Sequence, residues 1–451
     1  MAKITKCAKC GACTAPCPLY KISGKETLTA RARLHLLSKL DNTLSGSEPN
    51  PELSNGVHHP SPSLNSSDRG AKKHSQAYNE IFSKCLLCGA CYQACPRDIN
   101  TPELIVKARE NGAGTGGLAS FKKLLIRKSL SSPSLIPHTA GAIQAFRALA
   151  ERVLPEESGL RIKLSLFKSE HPAAKKSFIQ SIRLSPHKTH TARVAYFPGC
   201  LANYLKQDIA AATGSCLKRL CRTEMVAPAE QTCCGMAAYA AGDKKEALSL
   251  AKKNIAAFGA PPYADLPIFT SCATCYTHLR SYRELFKSDQ KWHAKAESFS
   301  QRVCEFSSFL LTNITVEFQF TPAPSNKENV FYHDPCHLRF LKNQGKPIVD
   351  APRSLLTKVP GVTLIELPDG PQCCGHGGLF NITYPEDSRA ICSSLLSSLF
   401  TTEADTVVTT CSGCLMQIQE NLARLQSSIK VRHLAVFLNA HLGPLRLDEL
   451  E

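Results

Sequence analysis

Short apolar runs alternate with helical patterns through the C-terminal part of the chain. The runs ARVAYFPGC and NVFYHDPC, which end at Cys200 and Cys336, are rich in β-forming residues. LPIFTSC and DTVVTTC, which end at Cys272 and Cys411, are short and apolar, as buried strands are. KKEALSLAKKNIAAF and DSRAICSSLLSSLF instead carry apolar residues at helical spacing.

This alternation predicts two α/β modules, residues 191–320 and 328–445, each with a largely parallel sheet. Each module has one cysteine after its first strand, then Cys-Cys-Gly, then C-x2-C after a later strand, at near-equal spacing. Such self-similarity indicates an internal duplication. Ligands at the carboxyl ends of strands occupy the edge where open α/β sheets build sites. The ten cysteines concerned are Cys200, Cys233, Cys234, Cys272, Cys275, Cys336, Cys373, Cys374, Cys411 and Cys414.

The N-terminal residues 1–111 carry a different pattern. ARARLHLLSKL and TPELIVKARE predict short helices. Between them, residues 41–75 are rich in Ser, Asn and Pro with almost no apolar periodicity, which predicts a flexible insertion.

Two copies of C-x2-C-x2-C-x3-C-P lie in this N-terminal part. The run is typical of bacterial ferredoxins, where the fourth cysteine binds the cluster of the other run. Two copies with both prolines favour two [4Fe–4S] clusters over zinc or chance, and the helical flanks favour an α-helical ferredoxin domain. We therefore predict an α+β multidomain chain in which this domain is followed by the two α/β modules. The predicted ligands are Cys7, Cys10, Cys13 and Cys95 for one cluster, and Cys85, Cys88, Cys91 and Cys17 for the other.

The charge and composition of the chain indicate which partners it binds. The net charge is +17, and much of the excess lies in a basic linker, residues 112–190. Its segment FKKLLIRKSL predicts either a helix on anionic lipid or a solvated linker that packs on the domains. Few aromatic residues and no recognisable motif argue against nucleic acid as a partner.

The length of the apolar runs and the spacing of the cysteines indicate the cellular compartment. No apolar run approaches the length of a membrane span, and the N-terminus lacks an apolar signal region. Tight C-x2-C spacings favour thiolate ligands in a reducing cytoplasm over a disulfide framework. We therefore expect a cytoplasmic protein, with peripheral contact at the inner face of the cell membrane left open.

The remaining sequence features are weaker signals of function. GAGTGG, residues 112–117, follows a helix pattern and not a strand, so it predicts a flexible linker and not a nucleotide site. His333, His337 and His376 lie next to the cysteines and either donate hydrogen bonds to cluster sulfurs or cap loops. No flavin site and no hydrolytic set is recognisable. Four cysteines outside the ligand patterns are predicted to be small buried apolar residues: Cys216, Cys221, Cys304 and Cys392.

A family resemblance rests on five local strings: FPGCLANY, EQTCCGMAAYAAGD, YHDPCHLR, QCCGHGGLF and VVTTCSGCLMQ. The duplicated module resembles the CCG, or cysteine-rich, domain of heterodisulfide reductase subunits. The whole layout resembles the iron–sulfur subunit of glycolate oxidase and its relatives in D-lactate and anaerobic glycerol-3-phosphate dehydrogenases.

The resemblance implies an oxidoreductase subunit that is not catalytic on the hydroxy acid alone. An FAD-containing partner would oxidise glycolate or D-lactate, and this chain would relay electrons toward membrane quinone. In heterodisulfide reductases the complete five-cysteine motif holds a noncubane [4Fe–4S] cluster, which implies one or two further clusters here. The alternatives are a catalytic subunit that reduces a disulfide at a CCG cluster, and modules whose cysteines are free thiols or a redox disulfide.

Overall fold

The computed structural model describes residues 6–44, 78, 80–112, 177–182, 192–314, 320, 327–342 and 344–443. Most of the predicted insertion and of the basic linker lies outside these residues. FKKLLIRKSL and the glycine run beyond Gly112 also lie outside them, so the interpretations given to those segments stay predictions.

The protein has a mixed α/β fold built on two parallel four-stranded sheets, as the sequence predicts. The first module holds sheet order β2-β1-β3-β4 and the second holds β6-β5-β7-β8. The two orders are equivalent strand for strand, which confirms the duplication. The strands are β1 Ala192–Tyr196, β2 Thr223–Val226, β3 Ile268–Thr270, β4 Val303–Glu305, β5 Glu328–Tyr332, β6 Val362–Ile365, β7 Thr406–Thr409 and β8 Lys430–His433.

Helices connect the strands in both modules. In the first module they are Gly199–Tyr204, Gln207–Cys221, Met236–Ala240, Lys244–Gly259, Ala273–Arg280, Tyr282–Leu285, His293–Gln301 and Phe306–Asn313. In the second they are Cys336–Arg339, Asp350–Leu356, Phe380–Thr383, Pro385–Leu399, Ser412–Arg424 and Leu434–Ala440.

The two modules share their apolar cores. One buried cluster joins Phe258 and Phe299 of the first module to Leu396 and Val407 of the second. A second cluster joins helix Gln207–Cys221 to the buried Phe437 and its neighbours. Burial of apolar surface is the main stabilising term in folding, so the modules stabilise each other directly.

The N-terminal part is helical and packs on both modules. Its helices are Pro18–Ser23, Ala30–Leu44, Ala90–Gln93 and Thr101–Gly112, with a 3₁₀ turn at Glu26–Leu28; a further short helix, Phe178–Ser181, precedes β1. Helix Ala30–Leu44 runs past residue 41, where the sequence predicted the insertion to begin.

Hydrogen bonds from two basic side chains connect this N-terminal part to the modules. Arg109 donates to the carbonyl of Ala240 in the first module at 2.5 Å. Lys342 of the second module donates to the carbonyl of Cys95 at 2.7 Å and lies 3.3 Å from the Asp98 carboxylate.

Within the described residues, no helix is both long enough and apolar enough to cross a membrane.

Candidate metal centres

In the first module the cysteines gather at the carboxyl edge of the sheet. Cys200 follows β1, and Cys233 lies in the loop after β2. Cys272 follows β3 and forms the N-cap of helix Ala273–Arg280. Because parallel strands end at one edge, these loops converge, and the sulfurs of Cys200 and Cys233 lie 3.3 Å apart.

The second module repeats this arrangement. The sulfurs of Cys374 and Cys414 lie 3.2 Å apart. Hydrogen bonds from Cys336 and Cys374 lower the pKa of Cys373 well below its ordinary value. A thiolate is the form of cysteine that binds metals, so these hydrogen bonds favour the ligating form of Cys373.

Glycine is required where the second Cys-Cys pair turns. Gly375 has a φ of 82°, in the left-handed region that favours glycine. A Cβ atom at this position would lie 2.4 Å from the carbonyl oxygen of Ser388. The amide N–H of Gly375 lies 3.4 Å from the sulfur of Cys373, so the same tight turn also brings a donor to the thiol.

The two cysteine groups meet across the junction between the modules. Cys272 and Cys411 lie close enough for each to shift the pKa of the other. The hydroxyl of Thr274 lies 3.4 Å from the Cys411 sulfur. On the backbone, the N–H of Ala273 donates to the carbonyl of Thr410 at 3.0 Å. All ten module cysteines therefore belong to one continuous region.

Hydrogen bonds from neighbouring thiols lower the pKa values of two cysteines in the first module. Those from Cys233 and Cys275 lower the pKa of Cys234 to about 6. Those from Cys275 and Cys411 lower the pKa of Cys272 well below its ordinary value. Buried thiolates of this kind are stable only with donors or a metal beside them.

The N-terminal cysteines are near one another across the two runs. Burial raises the pKa of Cys13, hydrogen bonds from backbone amides oppose the rise, and charges on Cys7 and Cys95 add to it. Burial likewise raises the pKa of Cys17, a backbone hydrogen bond opposes the rise, and the charge of Cys85 adds to it. Cys95 thus lies near the first run and Cys17 near the second, and the assignment of these cysteines to two clusters stays a prediction.

Both N-terminal runs use the same turn. Lys9 and Leu87 hold equivalent positions and have φ values of 54° and 56°. Gly11 and Gly89 follow two residues later with φ values of 81° and 85°. Repeated left-handed residues curl each loop around its cysteines, a nest-like conformation that directs backbone N–H groups inward.

Two arginines support the loop that leads to Cys85. Arg109 donates to three backbone carbonyls within residues 82–85 at 2.7 to 2.9 Å. Arg33, 2% exposed, donates to the carbonyls of residues 81 and 84. Its charge also acts to lower the pKa of Cys91, which burial raises. Among the described residues no carboxylate pairs with either guanidinium.

The second N-terminal run lies against the second module. Burial, and then the charge of Cys373, raise the pKa of Cys88 well above its ordinary value. A cavity of about 210 Å³ opens at this junction. Its lining includes Cys88, Cys336 and Cys373 together with the basic residues Lys21 and Arg339.

Comparisons with known proteins agree with this layout. Residues 194–280 and 330–419 match the family model described as a cysteine-rich (CCG) domain, and residues 3–99 match the 4Fe-4S dicluster domain. The chain is 30% identical over 97% of its length, and 93% of the relative's, to a Bacillus subtilis protein named "Probable glycolate oxidase iron-sulfur subunit". The chain belongs to the glycolate oxidase iron–sulfur subunit family.

Other likenesses cover less of the chain. Lactate utilization protein A of Geobacillus kaustophilus is 32% identical over 55% of this chain and 99% of that protein. A solved structure of a hypothetical protein from Helicobacter pylori aligns over 64% of this chain and 59% of that one. Its TM-score is 0.40 and its sequence identity 11%, too slight to carry an argument.

The residues fit the iron–sulfur cofactors that the family implies. The donors are closely spaced thiols, and a 4Fe-4S domain covers both N-terminal runs. Within the second module, a ring nitrogen of His333 and the sulfurs of Cys374 and Cys414 all lie within 4.8 Å of one another, and all three residues are buried. The donor residues of this chain therefore fit the iron–sulfur cofactors of its family.

The other histidines pack close to the module cysteines. His337 Nδ1 lies 3.0 Å from the Thr274 hydroxyl, and Thr274 in turn contacts Cys411. Burial lowers the pKa of His376 to about 4, so this imidazole is neutral at ordinary pH. His376 lies so close to Gly413 that a Cβ there would be 2.5 Å from its ring.

Some residues match the sequence predictions and others were missed. Cys216, Cys221 and Cys392 are buried as predicted, while Cys304 is only partly buried. Arg33 and Arg109 were not predicted from the sequence. Their signal is a basic residue at a position of the apolar helix face, one turn from Ala30 and Ile105 respectively.

Proposed function

We propose that this chain carries electrons within a flavin-dependent 2-hydroxy-acid dehydrogenase. An FAD-containing partner subunit oxidises glycolate or D-lactate, and electrons leave toward membrane quinone. The names of two relatives, a glycolate oxidase iron–sulfur subunit and a lactate utilization protein, support this assignment. The chain works in the cytoplasm, with peripheral contact at the inner face of the membrane.

A succession of neighbouring thiols through the molecule carries the proposal. Cys13 neighbours Cys95, and Cys91 in turn neighbours Cys13. Cys88 neighbours Cys373 at the second module, and Cys411 meets the first module at Cys272. Close spacing of redox groups is what a relay of single electrons needs. A protein with one catalytic metal site would not need such a series.

We assign the clusters along this succession. Two cubane [4Fe–4S] clusters are held by Cys7, Cys10, Cys13 and Cys95, and by Cys85, Cys88, Cys91 and Cys17. A further, noncubane cluster in each module is held by Cys200, Cys233, Cys234, Cys272 and Cys275, and by Cys336, Cys373, Cys374, Cys411 and Cys414. Five thiols per module exceed what a cubane needs, and a noncubane cluster uses them all.

Once bound, these clusters supply one-electron chemistry. The chain's own residues hold the thiolates in register and exclude water from them. They also supply compensating charge. Arg33 and Arg109 place two positive charges beside the second cubane set, and the amides of Gly235 and Gly375 approach the thiols of the two modules.

Reconstitution with the flavoprotein tests the proposal. The purified chain should contain iron and sulfide without flavin, and should not oxidise glycolate or D-lactate alone. Adding the FAD-containing subunit should restore turnover with a quinone or dye acceptor. Robust oxidation by the chain alone, free of flavoprotein, would contradict the assignment.

Iron counting tests the module clusters. Anaerobically purified protein should contain more iron than two cubanes supply, and both Cys233→Ser and Cys373→Ser should lower the count. A fully reconstituted chain that never exceeds the iron of two cubanes would leave the modules as free thiols or a redox disulfide.

A disulfide reductase is the second candidate. The lowered pKa of Cys373 and the cavity that this residue lines favour it, because a thiolate beside an open cavity can attack a disulfide. Reduction of a low-molecular-weight mixed disulfide by the reduced chain, without flavoprotein, would support this candidate. Absence of that activity alongside turnover of the hydroxy acid with the partner would exclude it.

A further inference from the structure

The duplication places a histidine in the second module where the first has a phenylalanine. Phe197 follows the last residue of β1, and His333 follows the last residue of β5. The amide of Phe197 donates to the carbonyl of Phe269 at 2.8 Å, and that of His333 to the carbonyl of Val408 at 2.8 Å. The two side chains are 0% and 1% exposed. They therefore occupy equivalent buried places beside the two cysteine groups.

The tyrosines that precede them confirm this equivalence. The hydroxyl of Tyr196 lies 2.8 Å from that of Ser271, just before Cys272. The hydroxyl of Tyr332 lies 2.9 Å from that of Thr410, just before Cys411. Because this framework repeats so closely, the change from phenylalanine to histidine is a local chemical difference between two matched sites.

His333 lies among the thiols of the second module. One of its ring nitrogens is within 4.8 Å of the sulfurs of both Cys374 and Cys414. Its Nδ1 atom is buried and has no hydrogen-bond partner among the described residues. A buried polar atom left unpaired destabilises the fold, so a histidine in this place needs a further partner. Phenylalanine at the matched place has no such need.

We propose that His333 is a nitrogen ligand of the metal centre in the second module, alongside Cys374 and Cys414. The first module, with Phe197, holds its centre by thiolates alone. This inference rests on the proposed presence of an iron–sulfur centre in the second module. Imidazole binds iron well, and an iron–sulfur centre with a neutral imidazole among its ligands has a higher potential than one bound by thiolates alone. The two modules therefore differ in potential despite their shared fold.

Nitrogen-sensitive EPR on the full chain tests this ligand. Wild-type protein labelled with ¹⁵N-histidine, in dithionite-reduced and ferricyanide-oxidised samples, should show a strong histidine coupling to one centre. His333→Phe, which copies the first module, should abolish that coupling. Phe197→His is the reciprocal variant and should add a second coupling. His333→Gln keeps a polar side chain without imidazole, and it should lose the coupling even if His333→Phe fails to fold.

The outcomes separate this inference from the proposed function. Iron beyond two cubanes together with no histidine coupling in wild type, or a coupling that survives in His333→Gln, would overturn the role of His333 alone. Iron that never exceeds two cubanes would instead overturn the module clusters. His333→Cys provides a further check, because it should keep the iron but lower the midpoint potential of the centre.

Discussion

Two arginines show how single residues set the properties of the second N-terminal cysteine set. Arg33 and Arg109 are cations without a carboxylate partner among the described residues, and both approach the loop that ends at Cys85. A [4Fe–4S] cluster bound by four thiolates is an anion, so it would balance these charges. Nearby positive charge favours the reduced, more negative state and thereby raises the reduction potential.

Replacing Arg33 by methionine should lower the midpoint potential of the cluster bound by Cys17, Cys85, Cys88 and Cys91. It should also destabilise the fold by about 1.5–3 kcal/mol, because hydrogen bonds from a charged donor are lost. An EPR-monitored redox titration measures the shift, with the signal assigned by its loss in Cys85→Ser. Arg31→Met is the matched control, since Arg31 is in the same helix but pairs with Glu26 at 2.6 Å. An equal shift in the control would contradict the prediction.

The crossed ligands are also a claim about single residues. Cys95→Ser should remove the cluster that Cys7→Ser removes, and Cys17→Ser should remove the one that Cys85→Ser removes. The charge of Cys95 acts on Cys13 and the charge of Cys85 acts on Cys17, which supports this pairing. EPR of each variant, with its iron content, makes the comparison. If Cys95→Ser and Cys85→Ser eliminated the same signal, the pairing would be wrong.

At the scale of elements, the turns after the second strand of each module decide the site. Gly235 and Gly375 have φ values of 91° and 82°, and each follows a Cys-Cys pair. The second turn is the tighter one, because its glycine packs directly on the carbonyl of Ser388. Helix Pro385–Leu399 therefore fixes how closely the Cys373–Cys374 pair can approach the rest of the second module.

Gly375→Ala should destabilise the protein and lower its iron content. The left-handed conformation costs an alanine about 1–2 kcal/mol, and the contact with the Ser388 carbonyl adds a backbone displacement. Gly370→Ala is the matched control, with a φ of 70° and no atom within 4 Å of its added Cβ. Thermal unfolding and iron analysis should both show a larger loss for Gly375→Ala. Similar losses in the two variants would mean that the close contact has no effect.

Sequence patterns predicted some of these elements better than others. β1, β3, β5 and β7 follow from apolar runs that end at cysteines, because the central strands of a parallel sheet are buried on both faces. Edge strands carry less signal in their sequence patterns, and β6 for example is partly exposed along its length. Cysteine spacing predicted which thiols group within a module. It could not predict that Cys272 meets Cys411, since spacing along a chain does not determine how two repeats face each other.

At the scale of the whole molecule, the two modules behave as one folded unit. Both large apolar clusters contain residues from each of them. Independent domains have separate cores, whereas a shared core couples the stability of its parts. Damage to the core in one module should therefore lower the stability of the other.

Phe437→Ala should lower the unfolding midpoint of the first module although Phe437 lies in the second. The phenylalanine is fully buried, and its loss should cost about 3–5 kcal/mol. Trp292, the single tryptophan, reports on the first module by fluorescence. Its midpoint should fall together with the circular dichroism midpoint. Phe400→Ala, at a site 47% exposed, is the control and should leave both unchanged. A tryptophan transition that stays in place would show that the modules unfold separately.

The contact between Cys272 and Cys411 has a consequence for the origin of the molecule. These two cysteines are counterparts in the duplication, yet they lie beside each other. A residue meets its own copy only at the axis of an isologous, two-fold interface. The modules are therefore arranged as the halves of a symmetric dimer would be, with the axis passing through the thiols. A single-module ancestor would have assembled its metal region from two identical chains, and fusion of the two genes then allowed Phe197 and His333 to diverge.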